Sequence, residues 1–238
     1  MMKSCLISIL VSLASFTTAW GQASGTQVTE TDSTLTLRNS KVRVEFPKGE
    51  AFDISKLTLN GKELVLSKGY NTVPWTLTYK GPQGENPVLF PSHGEYAGWA
   101  KTTKDGHVAI AFKWNMRLTY QDLVPVVMTV SLPGDSELAY WDIQAGTPDG
   151  WLVSNTQFPR ITVTRPDKAK LITSAGWGAE YNLSNPQVYT SSYPSVTGSM
   201  QLLFLHNPDG SVYYATEDRE ACGKDFRAAV GDKSVTLL

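Results

Sequence analysis

Aromatic residues set among glycines are the first in this sequence to suggest chemistry. Trp177 stands in Ala175-Gly176-Trp177-Gly178, with Tyr181, Tyr189 and Tyr193 after it; Trp99 follows His93-Gly94-Glu95-Tyr96-Ala97-Gly98. A flat apolar ring can stack on the C–H face of a sugar ring while a nearby carboxylate or amide takes the hydroxyls. The competing reading is that such rings cap the ends of an apolar core. Two acids, Glu217 and Asp218, close a strand-like run, and paired carboxylates can do general acid–base work. Neighbours along a strand point to opposite faces, so these two reach one substrate only across a bulge. Trp177, Tyr181, Trp99, Glu217 and Asp218 are therefore the candidate substrate-binding residues, and no residue is assigned a catalytic role.

Other chemistries lack their parts. The sequence has no glycine-rich phosphate loop, no HExxH helix, no GxSxG elbow and no cysteine pair for zinc. Its three histidines, His93, His107 and His206, are far apart. No metal or cofactor is expected. Lys and Arg number 21 against 22 Asp and Glu, for a net charge of −1. The two signs are interspersed, which argues against nucleic acid as a partner. The compositional excess is aromatic: seven Trp and ten Tyr in 238 residues.

The elements that would hold these residues read as strands. Residues 41–46 alternate, with Val42, Val44 and Phe46 on one side. Asn60-Gly61 and Asp105-Gly106 are strong hairpin signals. Residues 75–80 alternate into a Gly81-Pro82-Gln83-Gly84 turn. After Asp105-Gly106, Val108, Ile110, Phe112 and Trp114 share a face. Residues 123–132 continue the series, with Pro125 suggesting an edge or a bulge. Runs at 137–144, 161–164, 170–173, 200–206 and 212–216 follow, the last two joined by Asn207-Pro208-Asp209-Gly210. No window shows helical periodicity. About 14 strands with turns between them predict an all-β fold, a large antiparallel β-sandwich. Residues 176–198, rich in Gly, Ser, Asn and Tyr and without alternation, read as a long functional loop.

The N-terminus reads as a targeting segment. Lys3 precedes an apolar run over 5–16, and Ala19 and Ala23 offer small-residue cleavage positions. The run is too short to span a bilayer. Residues 1–23 are expected to be a signal peptide, and 24–238 a single exported domain, periplasmic or extracellular, with no membrane segment in its mature form. Cleavage would leave Cys222 without an internal partner. The last strand runs directly into Leu237-Leu238; the expectation is that the sandwich stops at its C-terminal edge and a further domain follows.

One resemblance rests on particular segments. Gln157-Phe158-Pro159-Arg160-Ile161, Gly176-Trp177-Gly178, Tyr193-Pro194-Ser195, Met200 to Phe204 and Asp209 to Asp218 resemble the end of the N-terminal β-sandwich of certain large bacterial glycoside hydrolases. The early strands and the Asn60-Gly61 hairpin also fit that pattern in outline. The resemblance implies a galactose-mutarotase-like supersandwich followed by a catalytic TIM barrel. It further implies that the catalytic carboxylates lie in that barrel, so that this chain alone is not catalytic. Its implied partners are an oligo- or polysaccharide and the downstream catalytic domain of the same polypeptide, with the loop from Trp177 to Tyr181 at the active-site rim. Two other readings stay open: a stand-alone carbohydrate-binding module, and a mutarotase-like sugar epimerase using His206 or His107 as acid with Glu217 as base. A shared sandwich does not choose among them.

Overall fold

The computed structural model describes residues 9–12 (by their backbone), 25–48, 54–64, 73–120, 122–165, 167–175, 178–195, 198–206 and 211–238. The chain begins with β1 (Ile9–Ser12), β2 (Gln27–Glu30), β3 (Thr34–Arg38), β4 (Val42–Pro47), β5 (Lys56–Leu59) and β6 (Lys62–Leu64). The strands β2 to β6 form a five-stranded meander in sequence order. Next come β7 (Thr76–Lys80), β8 (Val88–Leu89), a single 3₁₀ turn at Pro91–His93, β9 (Gly94–Lys104), β10 (His107–Arg117), β11 (Leu123–Leu132), β12 (Ala139–Ala145) and β13 (Leu152–Gln157). The series ends with β14 (Ile161–Thr164), β15 (Lys170–Thr173), β16 (Ala179–Asn182), β17 (Gln187–Tyr193), β18 (Leu202–His206), β19 (Val212–Thr216), β20 (Lys224–Val230) and β21 (Ser234–Leu237).

A nine-stranded sheet ordered β16-β15-β18-β19-β1-β12-β11-β10-β9 is the base of the molecule. Smaller sheets, β13-β7-β8 and β14-β21-β20-β17, join the meander around it. Every pairing between these strands is antiparallel. The all-β sandwich expected from the alternation is therefore the observed fold.

Alternation explains where the core lies. In β4, Val42, Val44 and Phe46 are buried, and Arg43 between them is exposed. In β10, Ile110, Phe112, Trp114 and Met116 are buried, and Lys113 and Asn115 are exposed. These faces meet: the Phe46 and Phe112 rings are 4.9 Å apart, and Phe46 lies edge-on to Trp141 at 6.2 Å. Trp75, ahead of β7, meets Trp114 edge-on at 5.5 Å. At the other end, Tyr214 of β19 meets Phe226 of β20 at 6.4 Å and 88°. Full burial of one such large apolar side chain contributes about 1.5–3 kcal/mol. One continuous cluster runs through all these contacts.

Turn chemistry places the strands. Asn60 (φ 46°) and Gly61 (φ 77°) make the paired positive-φ turn between β5 and β6, and Asp105-Gly106 repeats it between β9 and β10. Pro125, read as an edge or bulge signal, lies in the interior strand β11, opposite Asn115. It is tolerated because the Gly146 amide still donates to the Pro125 carbonyl at 2.8 Å, while the Tyr79 hydroxyl donates to the Gly146 carbonyl at 2.8 Å in place of the amide that proline lacks. The expected loop at 176–198 is corrected more fully: it contains β16 and β17. Both are edge strands, β16 of the nine-stranded sheet and β17 of the four-stranded one. The 207–210 turn lies outside the described residues.

Residues 9–12, inside the segment read as a leader, form β1 between β12 and β19; the rest of 1–23 lies outside the described residues. Cys222 is disulfide-bonded in the uncleaved chain; its expected isolation applies to the cleaved form. No helix among the described residues is long and apolar enough to cross a membrane.

Candidate functional site

A cavity of about 560 Å³ opens where β13, β17, β19 and β20 converge. That size falls within the range of small-ligand sites. The end of β13 and the cis Phe158–Pro159 peptide form one wall; Tyr193, the cis peptide to Pro194, and Ser192 of β17 form another. Thr216 and Tyr214 come from β19, and Lys224, Asp225 and Arg227 from β20. Alternation along β20 buries Phe226 beneath this surface and turns its polar neighbours Asp225 and Arg227 outward.

Hydrogen bonds fix the cavity lining. The buried Tyr214 hydroxyl donates to the Pro159 carbonyl at 2.8 Å, tying β19 to the 158–160 segment. Burial pushes that phenol far above its ordinary range, so it stays a neutral donor. Ser192 donates to Asp225 Oδ1 at 2.5 Å. Thr216 donates to Gln201 Oε1 at 2.5 Å, and Lys224 Nζ donates to the same oxygen at 2.9 Å. Lys224 also pairs with Asp218 Oδ2 at 2.6 Å and stands 5.3 Å from the centre of the Tyr193 ring.

Asp218 organises the turn after β19. Its Oδ1 accepts from the Glu220 amide at 2.9 Å, and its Oδ2 accepts from the Cys222 amide at 2.7 Å. Burial alone would raise its pKa, but Lys224 and the two amides together hold the carboxyl below the usual carboxylate range. It is thus an ionised anchor for Lys224, with both oxygens engaged. The polar walls, one half-buried aromatic face at Tyr193 and a fixed ammonium can orient a hydroxyl-rich ligand.

The five residues chosen from sequence do not gather in one place. Trp177 lies outside the described residues. Tyr181 is on β16, half-buried, with its ring 4.8 Å from Tyr189 and packed on the core. Trp99 is inside β9 opposite Phe112 and packs against the core, not in the loop its glycines suggested. Gly98 (φ 103°) instead serves an irregularity, where β10 passes from Lys113 to Trp114 while β9 skips a residue. β9 and β16 are the two edges of the nine-stranded sheet. Trp99 and Tyr181 thus stand on strands at opposite ends of the sheet order, and neither lines the cavity.

Glu217 is exposed while Asp218 is buried, as opposed faces of an extended chain require. Glu217 instead joins a polar cluster on the far side of the sheet. Burial first, and the Glu217 charge second, raise the hydroxyl pKa of both Tyr140 and Tyr213. His107 stacks on Tyr140 at 6.0 Å and 13°. His206 sits elsewhere, stacked on Phe204 and bonded to Ser211 at 3.0 Å. Asp142, nearby on β12, is buried with Lys104 Nζ at 3.6 Å; burial raises its pKa against the pull of that lysine. No group of three or more His, Cys, Asp or Glu suited to a metal occurs among the described residues.

Sequence reasoning missed Gln157, Tyr193, Lys224 and Asp225 as a site. The available signal was the resemblance itself, because Gln157-Phe158, Tyr193-Pro194 and Thr216 belong to its quoted segments and converge on the cavity.

Comparison with known proteins bears on the whole chain. No family model matches it. A Bacteroides thetaiotaomicron protein named "Putative glycoside hydrolase" is 39% identical over 234 residues, which is 98% of this chain and 34% of that protein. The chain thus spans about a third of the curated relative it matches.

Proposed function

We propose that this chain is the β-sandwich domain of an exported glycoside hydrolase, of galactose-mutarotase-like topology. In this reading it supports carbohydrate at the active-site rim and leaves bond cleavage to a catalytic domain downstream. The observation that carries it is the similarity over nearly the whole chain to one third of a longer protein with that name. The cavity agrees with it: polar, aromatic on one wall, and lined from the segments that resemble such enzymes. Asp218, behind Lys224, is consumed by internal bonds, and Asp225, the carboxylate on the cavity wall, accepts from Ser192, which suits a binding role better than proton transfer.

A second reading, a mutarotase-like epimerase, is favoured by one observation. His107, Tyr140 and Glu217 share the far side of the sheet, an arrangement with an acid, a base and an aromatic wall. The two readings separate in one assay series. The full-length polypeptide and this chain alone are incubated with a panel of aryl glycosides and oligosaccharides, and with freshly dissolved aldoses in a polarimeter. Hydrolysis by the full-length polypeptide with none by this chain is the expected result. Hydrolysis by this chain alone, or accelerated mutarotation that Glu217→Gln abolishes, would overturn it.

A further inference from the structure

Strand β1 is the hinge between two halves of the nine-stranded sheet. Residues 9–11 pair with Trp141, Tyr140 and Ala139 of β12, and residues 9–12 pair with Thr216 to Tyr213 of β19. β12 and β19 do not pair with each other. Both are antiparallel to β1, so they run parallel to one another across a gap of about 10 Å, two inter-strand steps. Without β1 the sheet becomes two four-stranded pieces with facing edges of unpaired backbone groups.

Those edges are poorly suited to stand open. Ala139 and Trp141 on one side, and Tyr214 and Ala215 on the other, are buried, and a buried amide or carbonyl without a partner is costly. Nor can the edges simply meet. Trp141 is locked against Phe46 of the five-stranded sheet, and Tyr214 against Phe226 of the four-stranded one. Closing a full strand width would tear one of those contacts apart.

Yet the occupying residues, 9–12, belong to the segment whose charge and apolar run read as a cleaved leader. Its removal would vacate the slot. A strand of at least four residues, antiparallel to both neighbours, is then required. We propose that in the exported protein a strand from beyond residue 238 of the same polypeptide fills the slot between β12 and β19, completing the sandwich. This rests on the reading of the chain as one domain of a longer protein, whose relative is about three times as long as this chain. A tethered strand meets the slot at an effective concentration near millimolar, well ahead of a second copy in dilute solution.

The test uses the full-length polypeptide purified after export, with benzoylphenylalanine in place of Tyr140, which stands at the slot's register. Irradiation and peptide mass spectrometry then identify the neighbour. Adducts to residues beyond 238 of the same chain are expected. Adducts to residues 1–23, adducts between two chains, or no adduct would each overturn the proposal. Hydrogen exchange on the unsubstituted polypeptide guards against a misfolded variant: amides of 139–141 and 213–216 should exchange on the order of 100-fold or more slower than unfolded peptide. Unprotected amides there would overturn it too. The intact mass of the same sample shows whether 1–23 is gone, and its glycosidase activity reports on the functional reading independently of the slot.

Discussion

The end of the sandwich around β4, β10 and β11 and the end around β17, β19 and β20 are held together by different forces. The first is dry: Phe46, Phe112, Trp114 and Met128 interdigitate with no charged group among them. The second is a polar lattice, with Lys224 shared by Asp218 and Gln201, Ser192 bonded to Asp225, and a cavity beside them. Packing contributes broadly and forgives small changes. A buried ion pair contributes little net stability but penalises loss of one partner heavily. A fold can afford such a lattice where its geometry serves a ligand.

Substitutions can break this contrast from either side. The largest loss is expected at the dry end: Phe112→Ala should destabilise by about 3–5 kcal/mol in chemical denaturation. A loss under about 1 kcal/mol would show that β10 does not present that face to the core. At the polar end, Lys224→Met should cost about 2–3 kcal/mol, because Asp218 keeps its charge without its cation. That substitution should also change the acid response. The Asp218 pKa is depressed in the folded state, so its stabilisation is present above the unfolded carboxyl pKa of about 3.9 and is lost as pH falls through the folded value. Denaturation midpoints between pH 5 and 2 should fall more steeply for the wild type than for the Lys224→Met variant; equal slopes would remove the ion pair from the account.

How much was legible follows the same division. Alternation in β4 and β10 and the Asn60-Gly61 and Asp105-Gly106 turns announce the dry end, because apolar burial leaves a period in the sequence. Gly61→Ala should accordingly cost about 1 kcal/mol, since φ 77° strains any Cβ; an unchanged midpoint would mean the turn relaxes. The strands β16 and β17 were invisible for two reasons: β16 has only four residues, too few for its alternation to register, and β17 buries a serine, Ser191, while exposing Val188. Trp99 looked like a loop residue because Gly94 and Gly98 flank it, whereas Gly98 serves a strand irregularity. The cavity was unreadable for a different reason. Gln157, Tyr193, Thr216 and Lys224 are separated by many residues in sequence, and only the convergence of four strands brings them together.

The smallest effect is expected on the far side of the sheet. Glu217→Gln should lower the phenolic pKa of Tyr140 and Tyr213 in ultraviolet titration, because the Glu217 charge raises both, while melting temperature stays within about 2 °C. Unmoved phenols would place Glu217 outside that cluster and weaken the epimerase alternative.

The most direct test of the carbohydrate-binding account is hydrogen exchange of the full-length polypeptide with and without a saturating panel of oligosaccharides. Slower exchange in 153–158, 192–194 and 224–227 on adding sugar is the result predicted. Unchanged exchange in all three segments, for a polypeptide that still hydrolyses its substrate, would contradict a carbohydrate role for the cavity.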